Sequence, residues 1–135
     1  AISQMDKIDL FLDARKSMVR VYDKAFKDIP NITPLQAYGR DNSSHHIYVV
    51  SIDFDKAGVT RHQFMEKLAE QGVGSQVHYI PVVSQPYYQE LGYKIQQYPI
   101  TDAYYQSTLS IPLYYGLSDV DQRLVISSIR KLLGK

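Results

Sequence analysis

Apolar side chains recur at helical spacing through the first thirty residues. Between Ser3 and Asp28 they return every three or four positions, which is typical of one helix face packed on a core. Ser3 and Asp6 resemble a capping box, and Pro30 stops the pattern. We therefore predict one helix of about 24 residues and about 36 Å, comparable to the diameter of the domain. Its apolar positions are Met5, Ile8, Phe11, Leu12, Met18, Val19, Tyr22, Ala25 and Phe26.

A helix of this length in a small domain predicts a packing partner in another domain. Ala1 leads directly into the helical pattern, as it would in a chain cut from a longer protein. Removal of an initiator methionine would look the same. The apolar positions span more than a single stripe, so we expect an exposed apolar face on this helix. The residues that do not all fit one buried side are Ile2, Met5, Leu10, Phe11, Leu12, Met18 and Val21.

A strand and a second helix follow in the pattern. Residues 46–54 are dense in β-branched and aromatic side chains, which favours a buried strand. Thr60 with Gln63 three residues later forms a second capping-box pattern. It predicts a helix of about 12 residues that ends at Gly72.

The second half of the chain alternates again between strand and helix signals. We predict a strand at 73–80, an irregular segment at 81–98, a short helix at 100–107 and a short strand at 109–111. Ser118 then caps a last helix. The residues that this helix is expected to bury are Leu124, Val125, Ile129, Leu132 and Leu133.

The order of these elements predicts the fold class. Three or four short strands cannot build a full doubly wound sheet. We therefore predict an α/β (α+β) fold, a two-layer sandwich whose short, mainly antiparallel sheet carries helices on one face. The chain of 135 residues predicts one domain, with a long helix over 1–30 and the sandwich over 31–135.

Composition removes several classes of function. The net charge is +1 with interspersed charges, which gives no electrostatic case for nucleic acid or an anionic membrane. No apolar run approaches the roughly 20 residues of a membrane helix, and the absence of cysteine fits a reducing cytoplasm. His45 and His46 would point to opposite faces of a strand, so we expect no metal site.

The tyrosines are concentrated in one part of the chain. Twelve occur in all, and nine of them fall between Tyr79 and Tyr115. Amphipathic packing, with the ring buried and the hydroxyl wet, is the ordinary explanation. A ligand or partner surface is the alternative.

One segment stands out as a candidate binding site. His78 and Tyr79 end the predicted strand at Pro81, just before an irregular loop that contains Gln85 and Tyr87. Polar groups at a strand end beneath a loop are where α/β folds usually bind ligands. A packed aromatic cluster would give the same pattern, so both interpretations remain at this point. Strand alternation places Tyr79 inward and His78 outward.

Four segments, taken together, resemble one family. They cover most of the chain in order, and the most specific elements are His-Tyr-x-Pro and Leu-Ser-x-Pro-Leu-Tyr-x-Gly-Leu. The four segments are AISQMDKIDLFLDARKSMVRVYD, HIYVVSID, GVGSQVHYIPVVSQPYYQELGY and YPITDAYYQSTLSIPLYYGLSDVDQRLVISSIRKLL. The chain resembles the C-terminal small domain of the DegT/DnrJ/EryC1/StrS aminotransferases, which depend on pyridoxal 5'-phosphate (PLP). It departs from the family pattern at Val83, where a histidine is common, and at Tyr115, where a proline is usual.

The resemblance implies a fold type I PLP enzyme in which a large cofactor domain precedes this small domain in a homodimer. The large domain, which residues 1–135 do not include, would supply the Schiff-base lysine. The implied reaction moves an amino group, usually from glutamate, to a keto carbon of a nucleotide-linked sugar. The resemblance makes His78 and Tyr79 candidate substrate or cofactor-edge contacts, and Pro81, Gln85 and Tyr87 the loop that shapes the pocket.

The catalytic step itself is expected to lie elsewhere. The lysines at positions 7, 16, 24, 27, 56, 67, 94, 131 and 135 all fall on predicted solvated helices or loops. We therefore expect this chain alone to bind no PLP and to be inactive, with no catalytic residue of its own. Two alternatives remain: the small domain of another fold type I PLP enzyme, and a stand-alone α/β binding or interaction module. The former often uses an arginine as a carboxylate clamp, and none lies near His78 in sequence.

Overall fold

A three-stranded antiparallel sheet organises the structure, which is a computed structural model that describes residues 2–35 and 42–134. The strands are β1 (Ile32–Pro34), β2 (Tyr48–Ile52) and β3 (Thr108–Ile111), in the order β1-β2-β3. Ile32 pairs with Ile52 and Tyr48 pairs with Ile111. The short antiparallel sheet of the sequence prediction is therefore confirmed.

Seven helices and two 3-10 turns accompany the sheet in the described part of the chain. The helices are α1 (Ile2–Met5), α2 (Ile8–Phe26), α3 (Phe54–Ala57), α4 (Arg61–Glu70), α5 (Pro86–Glu90), α6 (Pro99–Ser107) and α7 (Asp119–Leu132), and the 3-10 turns are Val82–Ser84 and Ile95–Gln97.

The core lies between one face of the sheet and three of the helices. Alternation along β2 turns Tyr48, Val50 and Ile52 to that face, and all three are buried. Helices α2, α4 and α7 cover it with buried aromatic and aliphatic side chains. These core residues of the helices are Val19, Tyr22, Phe26, Phe64, Leu68, Val125 and Ile129. The predicted layer of helices on one face is confirmed.

Buried polar groups fix α2 against the rest of the domain. The Tyr22 hydroxyl donates a hydrogen bond of 2.8 Å to the Pro112 carbonyl, just past the end of β3. Burial raises the pKa of Tyr22 well above its usual value, so this hydroxyl remains a donor. Gln122, buried on α7, donates through Nε2 to the Met18 carbonyl at 2.8 Å. Helix α2 is thus hydrogen-bonded both to the segment that follows β3 and to α7.

The single helix predicted for the first thirty residues is wrong in one respect. The helix is interrupted at Asp6 and Lys7, where the Lys7 amide bonds to the Gln4 carbonyl in a turn. The second part, α2, has 19 residues and is therefore about 28 Å long. Ser3 lies inside α1, so it does not occupy the N-cap position that the sequence pattern assigned to it.

The strand predicted at 73–80 is also wrong. Only Gln76 pairs with β3, through two backbone hydrogen bonds to Ser110. Extension toward Gly74 would need an amide from Pro112, which has none. Extension the other way would need the Thr108 amide, which is already bonded to the Tyr104 carbonyl at the end of α6. Backbone pairing with β3 therefore cannot extend in either direction from Gln76, and the single bridge between Gln76 and Ser110 is formed.

The capping residues predicted for α4 and α7 are confirmed, although the predicted ends of other helices and strands were wrong. Thr60 and Gln63 form a full capping box at α4, and the Ser118 hydroxyl accepts from the Asp121 amide at α7. Leu124 was expected inside, but its side chain is 43% exposed. It lies on the outer side of α7, next to Val125, which faces the core.

Candidate functional site

A cavity of about 260 Å³ lies beside β3, where the segment that follows α4 crosses it. His46, Gln76, His78 and Ser110 line it, together with apolar residues that are Ile47, Ile111, Pro112 and Leu113. Alternation along β3 turns Leu109 and Ile111 to the core, so Ser110 points to the opposite face of the sheet. Ser110 and His78 therefore meet on the face of the sheet away from the main core, in a cavity whose lining is partly polar and partly apolar.

His78 is the candidate residue that the structure brings into this cavity. Its ring nitrogen Nδ1 lies 2.7 Å from Ser110 Oγ. The imidazole is half-buried, whereas Ser110 is buried on β3. The ring of Tyr79 meets that of His78 edge-on, with centroids 4.7 Å apart. Sequence reasoning did not identify Ser110, although its place between two core residues of a strand would have predicted the outward direction.

The expected inward orientation of Tyr79 is wrong, whereas His78 lies on the side of the sheet away from the main core, the side to which it was assigned. Tyr79 is 78% exposed, and His78 faces the sheet through Ser110. The prediction rested on strand alternation, which does not apply because residues 77–80 form no strand. The peptide bond between His78 and Tyr79 is cis.

The other three candidates lie outside the cavity walls. Pro81 is buried and precedes the 3-10 turn, while Gln85 and Tyr87 are exposed at the start of α5. The Gln85 carbonyl accepts from the amides of Tyr88 and Gln89, which begins the helix. These residues thus form the 3-10 turn and the helix α5 that follow His78 in the chain. The sequence prediction of an irregular loop missed α5, whose start is marked by Pro86 at its first position.

A second, open groove of about 670 Å³ lies between β1, α3 and α6. Two of its three charged groups, Asp53 and Arg61, are engaged in structural contacts, and Asp55 is the third. Asp53 pairs with Lys56 at 2.8 Å, and hydrogen bonds from Lys56 lower the pKa of Asp53. The Arg61 guanidinium donates to the backbone carbonyl of Tyr105, and it also lies 4.4 Å from the centre of the Tyr105 side-chain ring. Because Asp53 and Arg61 stabilise the local structure around this groove, we do not choose it as the candidate site.

The described lysines do not fit an imine with PLP. Lys16 is half-buried and every other lysine within the described ranges is exposed, while Lys135 lies outside them. None of them lines the His78 cavity or the second groove. A Schiff-base lysine requires surroundings that desolvate and orient its amine. The described part of this chain therefore offers no position suited to holding PLP covalently.

The histidines do not gather into a ligand set. His45 is buried with a φ of +46°, and β2 begins only at Tyr48, so the prediction of two histidines on opposite strand faces does not apply. His62 lies exposed on α4, with Nε2 at 3.2 Å from the Glu66 carboxylate. Among residues 2–35 and 42–134 no group of three or more potential metal ligands occurs.

None of the helices in the described ranges combines the length and the apolar character needed to cross a membrane.

Comparison with known proteins identifies the family. Residues 1–130 match the model of the DegT/DnrJ/EryC1/StrS aminotransferase family. The chain is 38% identical to the spore coat polysaccharide biosynthesis protein SpsC of Bacillus subtilis, over 98% of this chain and 34% of SpsC. It is 28% identical to the UDP-4-amino-4,6-dideoxy-N-acetyl-beta-L-altrosamine transaminase of Helicobacter pylori, over 96% of this chain and 34% of the transaminase.

Solved structures of sugar aminotransferases share the fold. The PLP form of the putative sugar aminotransferase Spr1654 from Streptococcus pneumoniae superposes with a TM-score of 0.87 at 27% identity, covering 98% of this chain and 34% of Spr1654. Helicobacter pylori PseC, an aminotransferase involved in pseudoaminic acid biosynthesis, gives a TM-score of 0.87 at 27% identity, over 98% of this chain and 35% of PseC. The chain thus spans about a third of the length of these relatives. It belongs to the DegT/DnrJ/EryC1/StrS aminotransferase family.

Proposed function

We propose that this chain is the C-terminal small domain of an aminotransferase that transfers an amino group, from glutamate, to the keto carbon of a nucleotide-linked sugar. The observation that carries the proposal is a family match over residues 1–130 combined with a cavity in which His78 contacts Ser110. The relatives of known name act on a UDP-linked amino sugar or build surface polysaccharide. Their substrates support a nucleotide-linked sugar for the complete enzyme.

In this proposal the small domain forms one wall of the active site. His78 provides a ring nitrogen that can bind a sugar or phosphate oxygen. Tyr79, whose ring contacts that of His78, and Tyr87 at the start of α5 are both exposed and would provide aromatic surface for the substrate or for the rest of the enzyme. Pro81 is buried and holds the loop, and Gln85 starts α5. These five residues are the proposed substrate-binding candidates.

The amino-transfer chemistry belongs to PLP held by another part of the complete enzyme. When bound, PLP acts as an electron sink for the carbon that exchanges its amino group. The described residues of this chain do not fit that cofactor. Their part is to bind the sugar nucleotide, to orient it and to exclude water. We propose that the large domain supplies the lysine and that two complete subunits form a homodimer.

Helices α1 and α2 are the proposed contact with the large domain. Met5, Ile8, Leu10 and Val21 are each more than 40% exposed, a larger apolar surface than a finished helix usually presents. We propose that this surface, the α1–α2 apolar face, packs against the preceding part of the polypeptide. Residues 1–30 would then act as an interdomain segment and 31–135 as the sandwich.

The α1–α2 apolar face should make the isolated chain associate. Sedimentation at several concentrations should show a concentration-dependent increase in mass, because the face is not covered. The variant Leu10→Lys, which places a charge in the centre of the face, should shift the chain toward monomer. Arg20→Lys, exposed on the same helix, is the matched control. A strictly monomeric chain that binds no hydrophobic dye would contradict the interdomain role.

The proposed function is tested by the reaction of the complete polypeptide. With PLP, glutamate and a keto nucleotide sugar, it should produce 2-oxoglutarate and the amino sugar in equal amounts. The 135-residue chain under the same conditions should produce neither, because none of its lysines within the described ranges has the surroundings of a Schiff-base lysine. A complete polypeptide that accepts only amino-acid substrates would support another fold type I enzyme. Turnover by this chain alone would contradict the proposal.

A further inference from the structure

We infer that Ser110 positions His78: its hydroxyl donates a hydrogen bond to Nδ1, which keeps the neutral imidazole in the form that carries its proton on Nε2. Ser110 is thus a positioning residue, and His78 presents a hydrogen-bond donor to the cavity. The tautomer follows from the contacts of this chain. The use of that donor in catalysis rests on the proposed function.

The position of the Ser110 hydroxyl is fixed by its strand. The backbone amide of Ser110 donates to the Gln76 carbonyl at 2.8 Å, and its carbonyl accepts from the Gln76 amide at 3.1 Å. Ser110 is only 6% exposed. Val49 of β2 lies opposite it on the other side. The hydroxyl therefore has little freedom, and His78 Nδ1 lies within 2.7 Å of it.

The buried hydroxyl of Ser110 requires an acceptor for its proton, and this requirement determines which atom donates in the hydrogen bond with His78 Nδ1. A serine hydroxyl carries one proton that must find an acceptor when it is buried. Within the described residues, His78 Nδ1 is the partner found for Ser110 Oγ. If Nδ1 were the donor instead, the buried hydroxyl proton would be left without an acceptor there, which is unfavourable. We therefore assign Ser110 as the donor and Nδ1 as the acceptor.

The assignment determines which ligand atoms His78 can recognise. The hydrogen bond at one ring nitrogen decides which nitrogen carries the proton. With Nδ1 occupied by Ser110, the neutral ring carries its proton on Nε2, for which the described residues provide no partner. An N–H donor at the wall of a cavity can bind oxygen acceptors of a ligand. For a sugar nucleotide these are a hydroxyl, carbonyl or phosphate oxygen.

The tautomer can be measured directly in the 135-residue chain. The sequence has four histidines, so nitrogen NMR of histidine-labelled protein gives few signals, and His78→Gln identifies the one from His78. Spectra are recorded at a pH above the ordinary titration range of histidine. We expect the His78 signals of the Nε2-protonated form. In Ser110→Ala they should move toward a mixture of both tautomers, and Ser110→Thr, which keeps the hydroxyl, should restore the original pattern.

Two results would overturn the inference. One is a wild-type His78 protonated mainly on Nδ1, and the other is an unchanged tautomer in a folded Ser110→Ala variant. The amide spectrum of each variant reports whether the fold is retained. If Ser110→Ala does not fold, the tautomer of the wild-type protein and the spectrum of Ser110→Thr still show whether the inferred hydrogen-bond direction is correct. This measurement does not use the reaction of the complete enzyme. Its result can therefore be interpreted even if the proposed function proves wrong.

The catalytic use of the donor is tested in the complete enzyme. Ser110→Ala should lower kcat/KM by about two-fold to ten-fold, the usual effect of losing one neutral hydrogen bond. Ser110→Thr should recover most of this loss. Full activity of Ser110→Ala, measured alongside an impaired His78→Ala, would show that His78 acts without Ser110 and would contradict the positioning role.

Discussion

Replacing Phe64 with alanine should lower the free energy of unfolding by about 3–5 kcal/mol, the usual loss for a phenylalanine removed from a packed core. Phe64 is fully buried on α4, and its ring meets that of Phe54 edge-on at 5.7 Å. The loss combines the apolar surface returned to water with the cavity left between helix and sheet. For a domain whose total stability is about 5–15 kcal/mol, this is a large fraction.

Urea unfolding of the 135-residue chain measures this effect. The midpoint should fall while the slope m stays constant, because the surface exposed on unfolding changes little. Leu124→Ala is the matched control: it also removes an apolar side chain from a helix, but Leu124 is 43% exposed. It should cost less than about 1 kcal/mol. Equal losses at the two positions would contradict the core described for this fold.

Replacing His78 with alanine in the complete enzyme should reduce kcat/KM for the sugar nucleotide roughly five-fold to 150-fold. This corresponds to about 1–3 kcal/mol, the range expected when a polar contact is lost and its partner left unsatisfied. The residue lies at the cavity wall and is fixed through Ser110, so its loss removes a donor held in place before the substrate binds.

A second histidine provides the control for this experiment. His62→Ala removes an exposed imidazole on α4 whose described contact is with Glu66, and kcat/KM should not change. His78→Gln keeps a donor near the place of Nε2 and should recover part of the activity. Wild-type kinetics in His78→Ala would remove His78 from the substrate site. Tyr79→Ala should leave stability nearly unchanged because that side chain is 78% exposed.

Local signals in the sequence predicted the parts of the fold that local interactions decide. The capping boxes and serine caps at α4 and α7 depend on residues three positions apart, so Thr60 and Ser118 were assigned correctly. The central strand β2 was found because nearly every position in it is buried. β1 was missed because it has only three residues and includes Pro34, which reads as a turn.

The details of the candidate site depend on contacts that are distant in sequence. Segment 73–80 has the composition of a strand, yet whether it pairs is decided by Pro112 and by the amide of Thr108 more than 25 residues later. The orientation of His78 follows from Ser110, 32 positions away. Sequence patterns singled out the segment that contains His78, which lines the cavity, and its role as a substrate site stays a prediction. They could not give the facing of Tyr79, because alternation holds only where a strand forms.

We propose that this chain forms a wall of an aminotransferase active site and that another part of the complete enzyme holds PLP. The most direct test is to mix the 135-residue chain with PLP, reduce with borohydride and map the labelled lysines by mass spectrometry. We predict weak labelling that is spread over the exposed lysines and is lost when dialysis precedes reduction, because none of the described lysines lies in a site that would stabilise an imine. One PLP per chain on a single lysine, retained through dialysis, would contradict the account.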